Sequence, residues 1–320
     1  MRKPKYLSPT SLSKWQKDQE DFFLDYCATD KPSRMPQTNA MSVGSAFDAF
    51  VKSDIASKLS IAGYDKEELF MEQVESQNRD FAHGAGERCF AAYRDSGALA
   101  SLMQLIGMAT SDVKMEVSLV AQLEGVPLLG KPDLYFEVDS GNGMVPVIVD
   151  WKVNGYCSRN GHSPKAGYKA LRAAPDFTGR EAKTLEHKEY VPTRTHGIEH
   201  NCGKWFEEVD ESWARQLSTY AWILGAPVEG KTIIAIEQLA CGPKGIRCAT
   251  HMGLASAAFQ RATMDGYVEL WDRLKREHIF SVDIEESRKI QHKLDCGDEA
   301  DLIPKFGDGG KSEWREHGMF

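Results

Sequence analysis

The segment 145–153 is the part of the sequence that most restricts the fold. Its successive apolar residues Val147, Ile148 and Val149 are typical of a strand that is buried on both faces. The turn sequence Ser140-Gly141-Asn142-Gly143 precedes it and indicates a hairpin with an earlier strand at residues 128–138. Alternating apolar residues at 114–121 predict one more strand. Together the three segments predict an antiparallel meander at the centre of the fold.

Helical periodicity surrounds this meander. We predict an opening helix capped by Ser8 or Thr10, and further helices at residues 44–59, 87–108, 211–224 and 255–278, the second of which is broken near Gly97. Segments 231–239 and 246–251 predict two more strands. The composition does not shift enough to mark a boundary, so we expect one α/β domain over residues 1–320. It would carry a basic, loop-rich insertion at about 154–210 and a weakly structured end at about 281–320.

The composition excludes several classes of protein. Hydrophobic residues make up 42% of the 320 residues and charged residues 27%, which is ordinary for a globular protein with a buried core. No run approaches the roughly 18 apolar residues of a membrane helix, and no secretion or targeting segment is visible, so we expect a cytoplasmic location. The cysteines number seven without a CxxC pair, which favours reduced thiols.

Charge is unevenly distributed along the chain. The formal net charge of −8 argues against a protein that binds nucleic acid over its whole surface. Residues 152–188 nevertheless contain eight basic and three acidic side chains, which leaves open a local basic groove. This segment could be a solvated insertion or a face that contacts phosphates, for example through Lys165, Lys169 and Arg172.

Chemically active side chains are expected where the predicted strands meet. Residues two apart on a strand point the same way, so Asp150 and Lys152 share one face and Trp151 takes the other. Asp133 lies in the preceding strand segment and can approach the same spot. Two carboxylates and an ammonium together are costly without a function. Carboxylates bind Mg²⁺ or Mn²⁺, and a lysine can stabilise a phosphate undergoing attack. The alternatives without a catalytic role are a turn at Asp133 and a surface ion pair at Asp150.

Four ordered blocks resemble the PD-(D/E)XK nuclease superfamily, and within it the RecB-type exonuclease domains and their phage relatives. The match spans roughly residues 7 to 240. The blocks are Leu7-Ser8-Pro9-Thr10-Ser11-Leu12 with Trp15, then Gly44-Ser45-Ala46-Phe47-Asp48, then Gly130-Lys131-Pro132-Asp133 with Val149-Asp150-Trp151-Lys152, and finally Gln216-Leu217-Ser218-Thr219-Tyr220. The resemblance implies a restriction-endonuclease-like core, a central mixed β-sheet flanked by α-helices.

The resemblance also implies roles for particular residues. Asp133 and Asp150 would be catalytic metal ligands for Mg²⁺ or Mn²⁺, helped by the backbone carbonyl of Trp151, and Lys152 would be the catalytic lysine. Gln216 and Tyr220, four apart on one helix face, would line the cleft and contact DNA, unless they only pack that helix on the sheet.

Two acidic residues are assigned with less direct support. The family's histidine position falls on Asp48, which would be the third metal ligand, because a carboxylate can replace imidazole for these metals; an exposed helix aspartate is the alternative. Glu116 would support the site, or would be a plain carboxylate at a strand edge.

Other metal groups are not expected. Many relatives carry an iron–sulfur cluster, but the position of its first cysteine falls near Asp18, and Cys241 and Cys248 lack a third partner nearby. We therefore expect no iron–sulfur cluster. The histidines and cysteines of the insertion could bind zinc, although their spacing fits no standard finger and solvated side chains are the simpler interpretation; they are Cys157, His162, His187, His196, His200 and Cys202.

The sequence thus predicts a metal-dependent DNA exonuclease that hydrolyses phosphodiester bonds in DNA recombination, repair or phage DNA processing. It would act alone or with a recombination or replication partner protein, because no GxxxxGK[ST] helicase motif is present. Exonuclease action is implied by the resemblance alone. A structure-specific or restriction-type endonuclease, a catalytically inactive DNA-binding subunit and an RNA substrate remain as alternatives.

Overall fold

The computed structural model describes residues 1–29, 35–141, 143–157, 205–242 and 245–280. The described residues of the chain form two compact units. One consists of those within Met1–Ser33 and Tyr267–Phe320, and the other of those within Arg34–Gly266. None of the helices in the described part of the chain is long and apolar enough to cross a membrane.

The first unit contains helices α1 (Pro9–Lys17) and α2 (Gln19–Phe22), followed by a π-helical turn at Phe23–Cys27. The predicted cap is confirmed, because the Ser8 side chain accepts a hydrogen bond from the Ser11 amide and the Ser8 backbone N–H donates one to Ser11 Oγ. Such a reciprocal capping box satisfies two backbone N–H groups at the start of the helix. In the same unit, the Trp15 indole donates to the Ile279 carbonyl at 2.9 Å.

The second unit is built around a five-stranded sheet in the order β1-β4-β5-β6-β7. Helices α3 (Asn39–Leu59), α4 (Lys66–Gln73), α5 (Arg79–Asp95) and α6 (Ala98–Ile106) precede the strands β1 (Lys114–Met115), β2 (Leu119–Leu123), β3 (Val126–Gly130), β4 (Leu134–Asp139) and β5 (Met144–Asn154). Then follow α7 (Glu211–Ile223), β6 (Ile233–Gly242) and β7 (Gly245–Gly253), with short 3₁₀ turns at Ser76–Asn78 and Phe206–Glu208. The last helix, α8 (Ala257–Lys275), begins in this unit, and its residues from Tyr267 onward belong to the first unit.

The sheet is mixed, because β5 and β6 run parallel whereas the β1–β4, β4–β5 and β6–β7 pairs are antiparallel. Alternate residues of β5 pack against two different sets of helices. Val147, Val149 and Trp151 pack in the core with α3, α5 and α6, and Ile148 packs with α7. The predicted α/β architecture, a mixed sheet flanked by helices, is confirmed and is consistent with a restriction-endonuclease-like core.

The predicted three-strand meander is wrong in its details. Segment 114–121 is two strands, because the backbone turns at Glu116, whose φ is +53°. Segment 128–138 is interrupted at Lys131-Pro132-Asp133, where Pro132 has no N–H to donate to a ladder. As a result β2 and β3 form a separate two-stranded sheet, and β1, β4 and β5 form three consecutive antiparallel strands of the main one.

Most predicted helices agree with the structure. The predicted break near Gly97 is confirmed, since Gly97 has a φ of +83° and separates α5 from α6. The predicted insertion at 154–210 lies mostly outside the described residues, apart from the end of β5 and the turn at Phe206–Glu208. The predicted weakly structured segment 281–320 also lies outside them.

Candidate active site

An open cleft of about 610 Å³ lies in the second unit, where β4 and β5 approach α3 and α7. It brings together almost every site residue predicted from the sequence. The polar side chains that line it include Asp48, Glu116, Asp133, Asp150, Lys152, Gln216 and Tyr220.

Asp133 and Asp150 meet beside the start of β4 because of the strand register. Leu134 pairs with Val149, so Asp133, one residue before β4, lies beside Asp150. Asp133 Oδ2 accepts the Trp151 backbone N–H at 3.2 Å, and the two carboxyl groups are hydrogen-bonded to each other. Two carboxyl groups in direct contact require a shared proton or a cation between them.

Lys152 and Gln216 both engage Asp150, which is 3% exposed. The Lys152 ammonium forms an ion pair with Asp150 Oδ2, as expected for side chains on one face of a strand. Gln216 Nε2 donates to the same oxygen at 3.3 Å and to Tyr220 Oη at 3.0 Å. The Trp151 indole lies on the other face and donates to Tyr93 Oη at 3.3 Å.

Helix α7 is held close to the site by two local features. Asp210 caps its start and accepts the backbone N–H groups of Ser212 and Trp213, a common device for satisfying free donors. A Cβ atom on Gly130 would lie 2.7 Å from Tyr220 Cδ1, so only glycine permits this approach of α7 to β3. The position of Tyr220 in the cleft therefore depends on Gly130.

Lys52 of α3 is the site residue that the sequence analysis missed. Its side chain is fully buried, and its Nζ donates to Asp48 Oδ2 at 2.6 Å, Glu116 Oε1 at 2.7 Å and Asp133 Oδ1 at 2.9 Å. The available signal was a lysine on a largely apolar helix segment, four residues after an aspartate. That pattern is also typical of an ordinary surface ion pair.

Asp48 and Glu116 both face the cleft and are about one-fifth exposed. Each is fixed by lysine: Asp48 by Lys52, and Glu116 by Lys52 together with Lys131, whose Nζ lies 3.2 Å from Glu116 Oε2. The structure therefore places them inside the cluster rather than on an open helix face or strand edge.

Burial and charge displace the pKa values of the carboxyl groups in opposite directions. Burial raises the pKa of Asp48 to about 7, and the Asp133 carboxylate adds to this effect. Burial and Asp133 likewise raise the pKa of Asp150 well above its usual value. Burial would also raise the pKa of Asp133, but Lys52, the hydrogen bond with Asp150 and Lys152 outweigh it and hold the value at about 2.

The lysines remain charged. Burial lowers the pKa of Lys152, but the Asp150 carboxylate outweighs this and the net shift is upward. The same balance, with Asp133, Asp48 and Glu116 as the counter-charges, raises the pKa of Lys52 far above its ordinary value. Both ammonium groups therefore act as donors and positive charges, not as proton acceptors.

The donor set suits a divalent metal. Oxygen atoms of Asp48, Glu116 and Asp133 lie within 4.8 Å of one another. Among the described residues, these three form the group of potential metal ligands. Carboxylate oxygens are the ligands that Mg²⁺ and Mn²⁺ prefer. This cluster, with Asp150 next to it, could hold such an ion.

The cysteines are arranged differently from the prediction. Cys241 does have a partner besides Cys248, because Cys89 of α5 is hydrogen-bonded to it, and Cys248 is close enough to act on Cys89 electrostatically. These distant residues meet through the packing of α5 on β6 and β7, which sequence spacing does not reveal.

Of the predicted zinc ligands, only Cys157 is described, and it is exposed; the others lie outside the described residues.

No protein family matches the sequence, and no curated protein is significantly similar to it. Solved structures give distant likenesses. A candidate exonuclease from Eubacterium rectale is 12% identical, with a TM-score of 0.42, and the match covers 85% of this chain and 80% of that one. The protein SSO0001 is 12% identical, with a TM-score of 0.24 and coverage of 82% and 84%. VC1899 from Vibrio cholerae is 13% identical, with a TM-score of 0.16 and coverage of 48% and 42%.

Proposed function

We propose that this protein is a metal-dependent deoxyribonuclease that hydrolyses phosphodiester bonds in the cleft described above. The observation that carries the proposal is the contact between Asp133 and Asp150, with the Lys152 ammonium bound to Asp150. A buried carboxylate, a partly exposed one and a lysine in the cleft provide a cation site beside a fixed positive charge. Metal-assisted phosphodiester hydrolysis can use both.

Asp133 and Asp150 would hold Mg²⁺ or Mn²⁺, with the backbone carbonyl of Trp151 as a further ligand. When bound, such a metal lowers the pKa of a water molecule and neutralises charge on the phosphate. Since metal ligands must be deprotonated, binding of the cation would oppose the raised pKa of Asp150 and release any proton that Asp150 carries in the metal-free protein.

Lys152 would stabilise the negative charge that develops on the phosphate during attack. Its ammonium is already oriented by Asp150, so little reorganisation is needed at the moment of reaction. Gln216 would position Asp150 through its amide N–H and line the DNA path together with Tyr220.

The substrate would be DNA with a free end, and the role would be in recombination, repair or phage DNA processing. The resemblance of the four sequence blocks to RecB-type domains supports this part of the proposal. The cleft formed by the described residues is open to solvent, which supports its use by a nucleic acid strand.

The proposal is tested with end-labelled linear DNA and covalently closed circular DNA, each with Mg²⁺, Mn²⁺ or EDTA. We expect metal-dependent loss of the linear form only. Cutting of both forms would indicate an endonuclease acting through the same site. Absence of cutting with either metal would contradict the proposed activity and favour a DNA-binding subunit.

A further inference from the structure

Lys52 is the most unusual side chain of the cleft, because lysine is almost never fully buried unless it is paired. It is 0% exposed, and its ammonium lies between carboxylates from three separate parts of the chain. Asp48 is on α3, Glu116 follows β1, and Asp133 precedes β4. The mechanism proposed above gives this lysine no role.

The Lys52 ammonium occupies the place where a metal ion would be held by the same carboxylates. Asp48, Glu116 and Asp133 are the residues whose oxygens approach one another within 4.8 Å. Their distances to Lys52 Nζ, 2.6 to 2.9 Å, are hydrogen-bond lengths, whereas Mg²⁺ requires oxygens at about 2.0–2.1 Å. In this structure the three oxygens therefore hold an ammonium group at hydrogen-bond lengths.

Asp133 belongs both to the carboxylate group around Lys52 and to the proposed metal site. Its Oδ1 accepts from Lys52 at 2.9 Å, and its carboxyl group is also hydrogen-bonded to Asp150. Many nucleases use two metal ions about 3.5–4 Å apart, which stabilise the attacking and leaving oxygens. Here Asp133 lies between one position open to a metal and one already filled by a cation.

The charge balance favours a single metal ion. If all four carboxyl groups of Asp48, Glu116, Asp133 and Asp150 are ionised in the metal-bound protein, they carry four negative charges, and Lys52 and Lys152 return two positive ones. One divalent cation neutralises the remainder, and a second would leave an excess positive charge in a poorly solvated site. Lys131 is 53% exposed, so water screens most of its charge.

We propose that Lys52 is a built-in cation that replaces a second metal ion, so that the protein holds one divalent metal, at Asp133 and Asp150. The inference rests on the proposed function, since it concerns the metal of the same site. Asp48 and Glu116 then hold Lys52 in place instead of binding the metal. Removal of the ammonium would convert their position into a second metal site.

The test is the stoichiometry of Mn²⁺ binding to the full-length protein, measured by calorimetry and by electron paramagnetic resonance. Wild type is expected to bind one Mn²⁺ per chain. Lys52→Met, which keeps the apolar stem and removes the charge, is expected to bind two Mn²⁺ with a spin-coupled signal. The matched control is Lys58→Met on the same helix, because Lys58 forms an exposed ion pair with Asp54; it should still bind one.

The outcomes separate this inference from the proposed function. Two Mn²⁺ in wild type would overturn the inference and leave the nuclease proposal intact. A single Mn²⁺ in folded Lys52→Met would also overturn it. No binding by wild type would overturn both.

A second pair of variants decides the question even if Lys52→Met does not fold. Asp150→Asn should abolish measurable Mn²⁺ binding, whereas Asp48→Asn should weaken it by no more than about 10- to 100-fold, as expected for a residue outside the metal's own ligands. Equal losses in the two variants would show that Asp48 binds the metal directly and would refute the inference.

Discussion

At the residue scale, the two lysines of the cleft show what the sequence could and could not predict. Lys152 is two residues from Asp150 on one strand, so strand periodicity alone places the two side chains together. Lys52 reaches Glu116 and Asp133 across 64 and 81 positions. Contacts at such separations depend on how α3 packs beside the sheet, and no local pattern encodes that packing.

Asp48 should make the stability of the metal-free protein depend on pH. Its pKa rises from 3.8 to about 7 on folding, so the folded state binds a proton more tightly than the unfolded state. As pH rises through this window, the folded protein loses stability. Asp48→Asn removes this titration. The free energy of unfolding of the variant, relative to that of wild type, should therefore rise by up to about 3 kcal/mol as the pH is raised from about 5 to about 8.

Urea denaturation in EDTA at the two pH values measures this difference. Asp54→Asn is the matched control, since it removes another ion pair four residues apart on α3. A difference between Asp48→Asn and wild type that does not change with pH would show that Asp48 is not held in its protonated form.

At the element scale, the sequence predicted the type of most helices and strands but not how the strands combine. Apolar periodicity identifies α7, whereas β5 is identified by its unbroken apolar run Val147, Ile148 and Val149. The hairpin of β2 and β3 has equally good strand patterns, yet it leaves the main sheet. The cause is local, a backbone turn at Glu116 and the missing N–H of Pro132, whereas its consequence for pairing depends on partners elsewhere in the chain.

The contact between α3 and α5 depends on Gly86. A Cβ atom there would lie 2.6 Å from Ala46 Cβ, so Gly86→Ala should force the helices apart and destabilise the protein by about 1–3 kcal/mol. Gly44, also in a helix, has nothing within 4 Å of its Cβ position. Gly44→Ala should instead stabilise the protein by about 0.5–1 kcal/mol, because alanine favours helix.

Thermal or urea denaturation of the two variants beside wild type checks this pair. Shifts of the same sign and size would contradict the close packing of α5 on α3. Retention of Mn²⁺ binding by Gly44→Ala would show in addition that the cleft tolerates a methyl group at that position.

At the scale of the whole molecule, one segment is positively charged although the chain as a whole is negative. The chain carries a net charge of −8, yet residues 152–188 have eight basic and three acidic side chains. If this segment contacts DNA phosphates, replacing Lys165, Lys169 and Arg172 with alanine should weaken binding. The slope of log affinity against log salt should fall by up to about three, since each lost phosphate contact removes about 0.9.

Fluorescence anisotropy with a labelled duplex over a range of salt concentrations measures that slope. The metal should be replaced by Ca²⁺ or omitted so that the DNA stays intact. A triple variant with an unchanged slope would show that the segment is a solvated insertion without contact to the phosphates.

The central claim is that the cleft cuts DNA with Lys152 as its charge-stabilising residue, and the rate of nucleotide release tests it most directly. End-labelled linear DNA is digested in Mn²⁺ by wild type, by Lys152→Ala and by the control Lys58→Ala. We predict at least about a 100-fold loss of kcat for Lys152→Ala, the effect of removing one donor to a developing anion, measured at a temperature where circular dichroism shows the variant to be folded, and wild-type rates for Lys58→Ala. A Lys152→Ala protein that cuts within a few-fold of the wild-type rate would contradict the account.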